Sequence, residues 1–283
     1  MASRKLTVLD LQRMKEKGEQ VVWITAYDFI TAQLAERAGI DMILVGDSVG
    51  MCVYGYGGTI PVTMDQCTCH CEAVRRGAAQ TFVIGDMPFG SYQISVEDAV
   101  ANAVRFHKEA GVDAVKLEGG ERVADVVRRI ADGGMLVMGH LGLTPQSSNA
   151  LGGFKAQGRT AETAMAVIKD ARTIHEAGAF SILIEAVPPE VTKVIRDELP
   201  IPIYSIGAGP HADGQLMIVS DLVGHFQAFT PKFVKRYGDV AGEMSRSFEA
   251  YIKDVKEGEF PTDEHSYSMV EGELPKLTEM LGR

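Results

Sequence analysis

Six reactive side chains recur at one kind of place in this 283-residue chain: at, or just after, a short apolar run. Asp47 follows Met42-Ile43-Leu44-Val45-Gly46, and Asp86 follows Thr81-Phe82-Val83-Ile84-Gly85. Lys116 and Glu118 flank Leu117, His140 follows Met138-Gly139, and Glu185 closes Ser181-Ile182-Leu183-Ile184. Asp47, Asp86 and Glu118 offer hard oxygen donors, suited to a divalent cation such as Mg²⁺, with Glu118 able to act through a water. Lys116 is a positive charge fit to face an anionic substrate or a developing oxyanion. Glu185, set between Ile184 and Ala186, is placed for desolvation and so for general-base work. Each has a plainer reading: helix N-capping for Asp47 and Asp86, charge neutralisation for Lys116, a structural role for His140.

Groups of this kind need elements that bring them together. Seven apolar runs alternate with helical patterns: 21–26, 42–46, 81–85, 114–117, 135–138, 181–184 and 201–206, with an eighth, less distinct, within Gln215 to Val219. Continuous Val, Ile and Leu runs flanked by Gly suit strands covered on both faces. Helical spacing fills Phe29 to Ala38, Val96 to Ala110 and Glu162 to Ala177, each followed by or ending next to an Ala-Gly stop. Repeated strand–helix units argue for parallel strands, either in a closed eight-stranded (β/α)8 TIM barrel or in a doubly wound open sheet. Polar residues at the ends of nearly all the strands favour the barrel, whose active site gathers at one rim. Lys116 and Glu118 then point the same way, because strand side chains alternate. The whole chain, 1–283, reads as one barrel domain with two flanks. Thr7 caps a short helix carrying Val8, Leu11 and Met14, and Val240, Met244, Phe248, Ile252 and Val255 repeat with helical spacing before Gly258. Both flanks read as surface packing, with covering of a barrel end and exchange between subunits as the alternatives.

Composition narrows the function classes. With 28 Lys and Arg against 38 Asp and Glu and no long basic run, a nucleic-acid partner is disfavoured. No apolar stretch is long enough to span a bilayer. The four cysteines (52, 67, 69 and 71) read as reduced thiols, consistent with a cytoplasmic protein. Cys67 and Cys71 share a helix face and Cys69 does not, which argues against a closed zinc site. Gly207-Ala208-Gly209-Pro210 reads as a tight turn bringing backbone to a ligand, and Gly152 to Arg159 as a Gly-rich basic loop, either a lid or a solvated loop.

Several segments resemble the ketopantoate hydroxymethyltransferase family, in order and from about residue 5 to 268. Among them are Leu44-Val45-Gly46-Asp47-Ser48-Val49-Gly50-Met51, Asp86-Met87-Pro88-Phe89, Val115-Lys116-Leu117-Glu118-Gly119-Gly120 and Gly139-His140-Leu141-Gly142-Leu143-Thr144-Pro145-Gln146. The resemblance implies a barrel of the phosphoenolpyruvate mutase/isocitrate lyase type, with Mg²⁺, 5,10-methylenetetrahydrofolate as co-substrate and a homo-oligomer that is commonly decameric. It implies metal-ligating roles for Asp47 and Asp86, a further acidic metal residue in Glu118, and a proton acceptor in Glu185. It also implies substrate contacts through Asp47, Ser48, Asp86, Lys116 and His140, and transfer of a hydroxymethyl unit to 3-methyl-2-oxobutanoate. A related 2-oxo-acid C–C lyase or phosphoenolpyruvate mutase-like enzyme is the alternative. Two departures from the family pattern, Gly55-Tyr56-Gly57-Gly58-Thr59-Ile60 and Ser220 in place of a usual His, leave the named residues in place.

Overall fold

The computed structural model describes residues 4–283. Eight strands, β1 (Val21–Thr25), β2 (Met42–Val45), β3 (Phe82–Asp86), β4 (Ala114–Glu118), β5 (Leu136–Gly142), β6 (Ser181–Glu185), β7 (Ile203–Ile206) and β8 (Gly214–Met217), close into a barrel in chain order, every pair parallel. All seven apolar runs become strands, and the indistinct eighth does too. The helices are α1 (Val8–Lys17), α2 (Phe29–Ala38), α3 (Val49–Cys52), α4 (Met64–Gly77), α5 (Val96–Arg105) and α6 (Ala124–Asp132). Then follow α7 (Ser148–Leu151), α8 (Ala161–Glu176), α9 (Pro189–Glu198), α10 (Val219–Leu222), α11 (Val240–Glu257) and α12 (Glu273–Met280).

Two apolar layers form because most of the strands are covered on both faces. Inside the barrel lie Trp23, Met42, Phe82, Ile84, Met138, Leu183 and Tyr204, with Trp23 and Tyr204 edge to face at 5.3 Å. Outside it, Ile43, Val45, Val83, Val115, Val137 and Ile182 pack against the helices. Each such side chain taken fully from water contributes about 1.5–3 kcal/mol. The helix expected over Val96 to Ala110 holds only to Arg105 and finishes as a π turn, Phe106–Ala110. That turn places buried Phe106 over Gly85 of β3, where a Cβ would stand 3.2 Å from the ring.

The N-terminal flank does more than pack on the surface. Thr7 and Asp10 form a capping box that starts α1, and Gly18, in left-handed conformation, ends it. Leu11 is completely buried in the same cluster as the barrel interior, so α1 stops the end of the barrel away from the strand tips.

Barrel closure depends on a missing side chain at the last seam. Gly214 pairs with both Val21 and Tyr204, and a Cβ there would fall 2.4 Å from the Val21 carbonyl oxygen. Gly214→Ala is therefore expected to lower stability by about 1–3 kcal/mol, the usual cost of overpacking. In thermal unfolding this is a Tm lower by several degrees; an unchanged Tm would show that β8 yields without cost.

Candidate active site

Strand parity builds the site. In β3 to β6 the inward positions at the carboxyl ends are Asp86, Lys116, Glu118, His140 and Glu185, and register sets Asp86 beside Lys116 and Glu118 beside His140. Asp47 and Ser48 join them from the turn after β2. All seven line one open cleft, which runs from the barrel mouth on over the outer side of β1 at Val22. Phe154, Ala156 and Arg159 of the Gly-rich loop and Gly207 and Gly209 of the turn after β7 line it as well, and both glycines have positive φ.

Lys116 is the hub. Its Nζ lies 2.8 Å from Asp86 Oδ1, 3.6 Å from Glu118 Oε1 and 3.1 Å from His140 Nδ1. His140 Nδ1 is 3.3 Å from Glu118 Oε1, and its Nε2 is 3.0 Å from Glu185 Oε2. Asp86 Oδ2 accepts the Asp47 backbone N–H at 3.0 Å. Neither aspartate caps a helix: Ser48 occupies the N-cap of α3, its side chain making no capping hydrogen bond, and Asp47 Oδ2 accepts from Gln146. The capping reading of these two residues is therefore set aside. Ser48 Oγ shares a 2.8 Å hydrogen bond with the Tyr27 hydroxyl, to which Thr25 donates.

Three buried carboxylates thus face one buried ammonium. Burial raises the pKa values of Asp47, Asp86 and Glu118; repulsion from Glu118 adds to it at Asp47, and repulsion from Asp47 and Glu118 adds to it at Asp86. Burial works to lower that of Lys116, but Asp86, Glu118 and Asp47 outweigh it and push the ammonium well above its ordinary value. Lys116 therefore stays charged. Burial, with Lys116 adding to it, pushes the His140 imidazole below its usual value, so the ring is neutral near pH 7. Since Lys116 donates toward Nδ1, the ring proton belongs on Nε2, facing Glu185.

Two carboxylate oxygens of the cluster are left short of donors. Asp86 Oδ1 and Glu118 Oε1 are buried yet receive no well-directed hydrogen bond, close as Lys116 stands. Among the described residues no group of three or more His, Cys, Asp or Glu side chains is placed to hold a metal ion. Cys67 and Cys71 are buried on one face of α4, and Cys69 is exposed, as helical spacing requires.

Backbone geometry fixes Glu185. Ala186 adopts φ 48°, left-handed for a residue with a Cβ, a local strain of the kind that clusters at functional sites. Gly142 makes way for it: a Cβ there would lie 2.3 Å from the Glu185 carbonyl oxygen. Tyr92 and Gln146 enter the same cluster with no advance signal beyond Gln146 ending the Thr144-Pro145-Gln146 segment; the Tyr92 hydroxyl is 2.7 Å from Gln146 Oε1. Of the two departures, Ser220 donates to Cys52 Sγ at 3.3 Å, and Tyr56 stacks on Tyr54 and accepts from Gln66.

The fold is that of the phosphoenolpyruvate mutase/isocitrate lyase superfamily. Similar structures include a phosphoenolpyruvate phosphomutase from Streptomyces platensis subsp. rosaceus (TM-score 0.60, 14% identity, 98% of this chain and 96% of that one). A 2,3-dimethylmalate lyase of that superfamily has TM-score 0.57 at 15% identity, covering 97% and 96%. A phosphonopyruvate hydrolase in complex with oxalate and Mg²⁺ has TM-score 0.58 at 15% identity, covering 97% and 94%. At such identity these neighbours speak to the fold alone. Sequence speaks to the family: the model of ketopantoate hydroxymethyltransferase matches residues 5–263. The chain is 63% identical over 269 residues to the 3-methyl-2-oxobutanoate hydroxymethyltransferase of Alkaliphilus metalliredigens (strain QYMF), covering 95% of each. It is 50% identical over 268 residues to the enzyme of the same name from Moorella thermoacetica (strain ATCC 39073 / JCM 9320), covering 94% of this chain and all of that protein. The chain belongs to the ketopantoate hydroxymethyltransferase family. No helix among the described residues is long and apolar enough to cross a membrane.

The excess of buried negative charge has a stability signature. A carboxyl whose pKa is higher folded than unfolded stabilises the fold when protonated, and that contribution is lost as pH rises through the folded value. Without added metal, stability is therefore expected to fall as pH rises from the ordinary aspartate value, about 3.9, toward neutrality, as far as this cluster contributes. Asp47→Asn removes one repelling charge and leaves Lys116 both Asp86 and Glu118. It is expected to raise the metal-free Tm at pH 7 by a few degrees, on the order of 1 kcal/mol. A lowered Tm would show that Asp47 is a net stabiliser.

Proposed function

We propose that this chain transfers a one-carbon unit from 5,10-methylenetetrahydrofolate to 3-methyl-2-oxobutanoate, giving 2-dehydropantoate. The carrying observation is the meeting, at one barrel mouth, of a neutral histidine, a charged lysine and four carboxylates of unequal environment. In the balance of the reaction C3 of the acid loses a proton and forms a bond to the donor's methylene carbon, while water supplies the new hydroxyl and tetrahydrofolate leaves. Membership of the hydroxymethyltransferase family supports the reaction class, and it weighs against the lyase and mutase alternative, which rests on fold likeness only.

Asp47 and Asp86 would hold a divalent cation of the Mg²⁺ type, with Glu118 next to them acting directly or through water. When bound, such an ion supplies Lewis-acid polarisation of the substrate's oxo group and charge to attract its carboxylate. The phosphonopyruvate hydrolase neighbour is in complex with Mg²⁺ and oxalate, a pair of adjacent carboxyl groups that resembles the head of a 2-oxo acid.

The chain's own residues do the rest. Glu185 takes the C3 proton. Its side chain is 14% exposed at the cleft, where Ala186 and Gly142 hold its backbone and His140 Nε2 faces its Oε2 at 3.0 Å. Lys116, kept charged by its carboxylate neighbours, faces the oxygen on which negative charge grows, and it spends no reorganisation because those neighbours already orient it. Ser48, steadied by Tyr27, receives the acid group. Arg159 and Lys232 line the same cleft and add positive charge for anionic reactants.

We further propose that the barrels assemble as a homo-oligomer, decameric by the family's pattern. Val240, Met244, Phe248 and Ile252 form an apolar stripe along α11, and each is 36% or more exposed. Val22, on the outer face of β1, is 52% exposed as well. Two apolar surfaces left open on one chain suit covering by further copies of it.

Glu185→Gln is expected to slow exchange of the C3 proton in deuterated water by about 10²–10⁴-fold, the usual worth of a general base, with Mn²⁺ binding unchanged. Wild-type exchange, followed by proton NMR, would remove Glu185 from the base role. In sedimentation velocity the protein is expected to run well above its monomer mass of 30.6 kDa. Phe248→Glu with Ile252→Glu is expected to shift it toward the monomer; a monomeric wild type would end the assembly proposal.

A further inference from the structure

Gln146 lies just past β5, in a short turn that contributes no acid, base or nucleophile, yet its amide is used to capacity. Nε2 donates to Asp47 Oδ2 at 2.9 Å and to the Met87 carbonyl at 3.0 Å. Oε1 accepts from the Tyr92 hydroxyl at 2.7 Å and from Gln93 Nε2 at 3.2 Å. Its backbone N–H donates to Glu118 Oε2 at 2.9 Å. Both donors and both lone pairs of the amide are occupied, and the residue is buried. The orientation follows from the partners: the nitrogen end meets only acceptors and the oxygen end meets donors, so a flipped amide would lose four hydrogen bonds.

We infer that Gln146 is the positioning residue for the carboxylates that receive the divalent cation. One residue fixes a single oxygen on each of two acids, Asp47 in the turn after β2 through its side chain and Glu118 on β4 through its backbone. The remaining oxygen of each is left for a ligand, and Glu118 Oε1 is buried without a directed hydrogen bond. Tyr92 holds the clip from behind: its hydroxyl donates to Gln146 Oε1 and accepts the Glu118 N–H at 3.1 Å. Charge explains the choice of a neutral amide. Lysine or arginine at this position would satisfy Asp47 but put a second fixed cation where a divalent ion must sit. Glutamate would add a further carboxylate against Asp47. A glutamine directs the acid and leaves its charge for the ligand.

This inference rests on the cation reading of the site, and the test separates the two. The probe is Mn²⁺, with the free ion counted by electron paramagnetic resonance, so that no turnover is needed. Gln146→Met, close in volume and unable to hydrogen-bond as the amide does, is expected to weaken Mn²⁺ binding by about 10–100-fold, the usual effect of losing an orienting partner. Its circular dichroism is expected to match the wild type, with KM for the oxo acid raised as well as kcat lowered. Tyr92→Phe is expected to weaken Mn²⁺ in the same direction and by less. A folded Gln146→Met with wild-type Mn²⁺ affinity overturns the inference and leaves the cation reading standing. Should Gln146→Met fail to fold, Tyr92→Phe decides, and undiminished Mn²⁺ affinity in it overturns the inference. Failure of the unsubstituted protein to bind Mn²⁺ overturns the cation reading and the inference together.

Discussion

A single buried ammonium among three buried carboxylates is the constraint on which the rest of this structure depends. Lys116 cannot balance Asp47, Asp86 and Glu118: burial raises the three acids, their charge holds the lysine's pKa up, and burial with Lys116 keeps the nearby imidazole neutral. In a dry interior an uncompensated charge is costly. The barrel carries that cost through its two apolar layers, whose buried Trp, Phe, Met, Ile and Val side chains surround the polar mouth. The divalent cation proposed for this site would supply the missing charge where two oxygens lack directed donors.

Parallel strands explain how so few residues meet so closely. One strand turns every second side chain inward, and adjacent strands in register bring their inward tips side by side. Lys116 and Glu118 come from one strand, Asp86 and His140 from its two neighbours, and Glu185 from the next. Precision at the tips depends on small residues. Gly142 lets β5 approach the Glu185 carbonyl, and Ala186 takes a left-handed backbone to aim the acid beside it. Gln146, itself held by Tyr92, then hydrogen-bonds the Asp47 and Glu118 carboxylates.

Much of the architecture was legible in the chain. Strand positions followed from apolar runs, and helix stops from glycines such as Gly18, Gly39 and Gly258, which take up left-handed conformations. Lys116 and Glu118 could be placed on one face by alternation alone. The capping alternative for Asp47 and Asp86 could not be dismissed until their hydrogen bonds were visible. Nor could α1 be seen as a barrel stop, because Leu11 reads the same whether it packs on a surface or closes an end.

Residue order by itself determined the alternation of strand and helix, the inward parity of the acids and bases, and the family to which the chain belongs, since these are properties of neighbours along the backbone. Only tertiary structure decided that Lys116 stands between Asp86, Glu118 and His140, that His140 is neutral, and that Gln146 joins Asp47 to Glu118 across 99 and 28 residues of chain. The reason is physical: charge interaction and hydrogen-bond direction depend on separation in space and on exclusion of water, and both come into being only when the barrel closes.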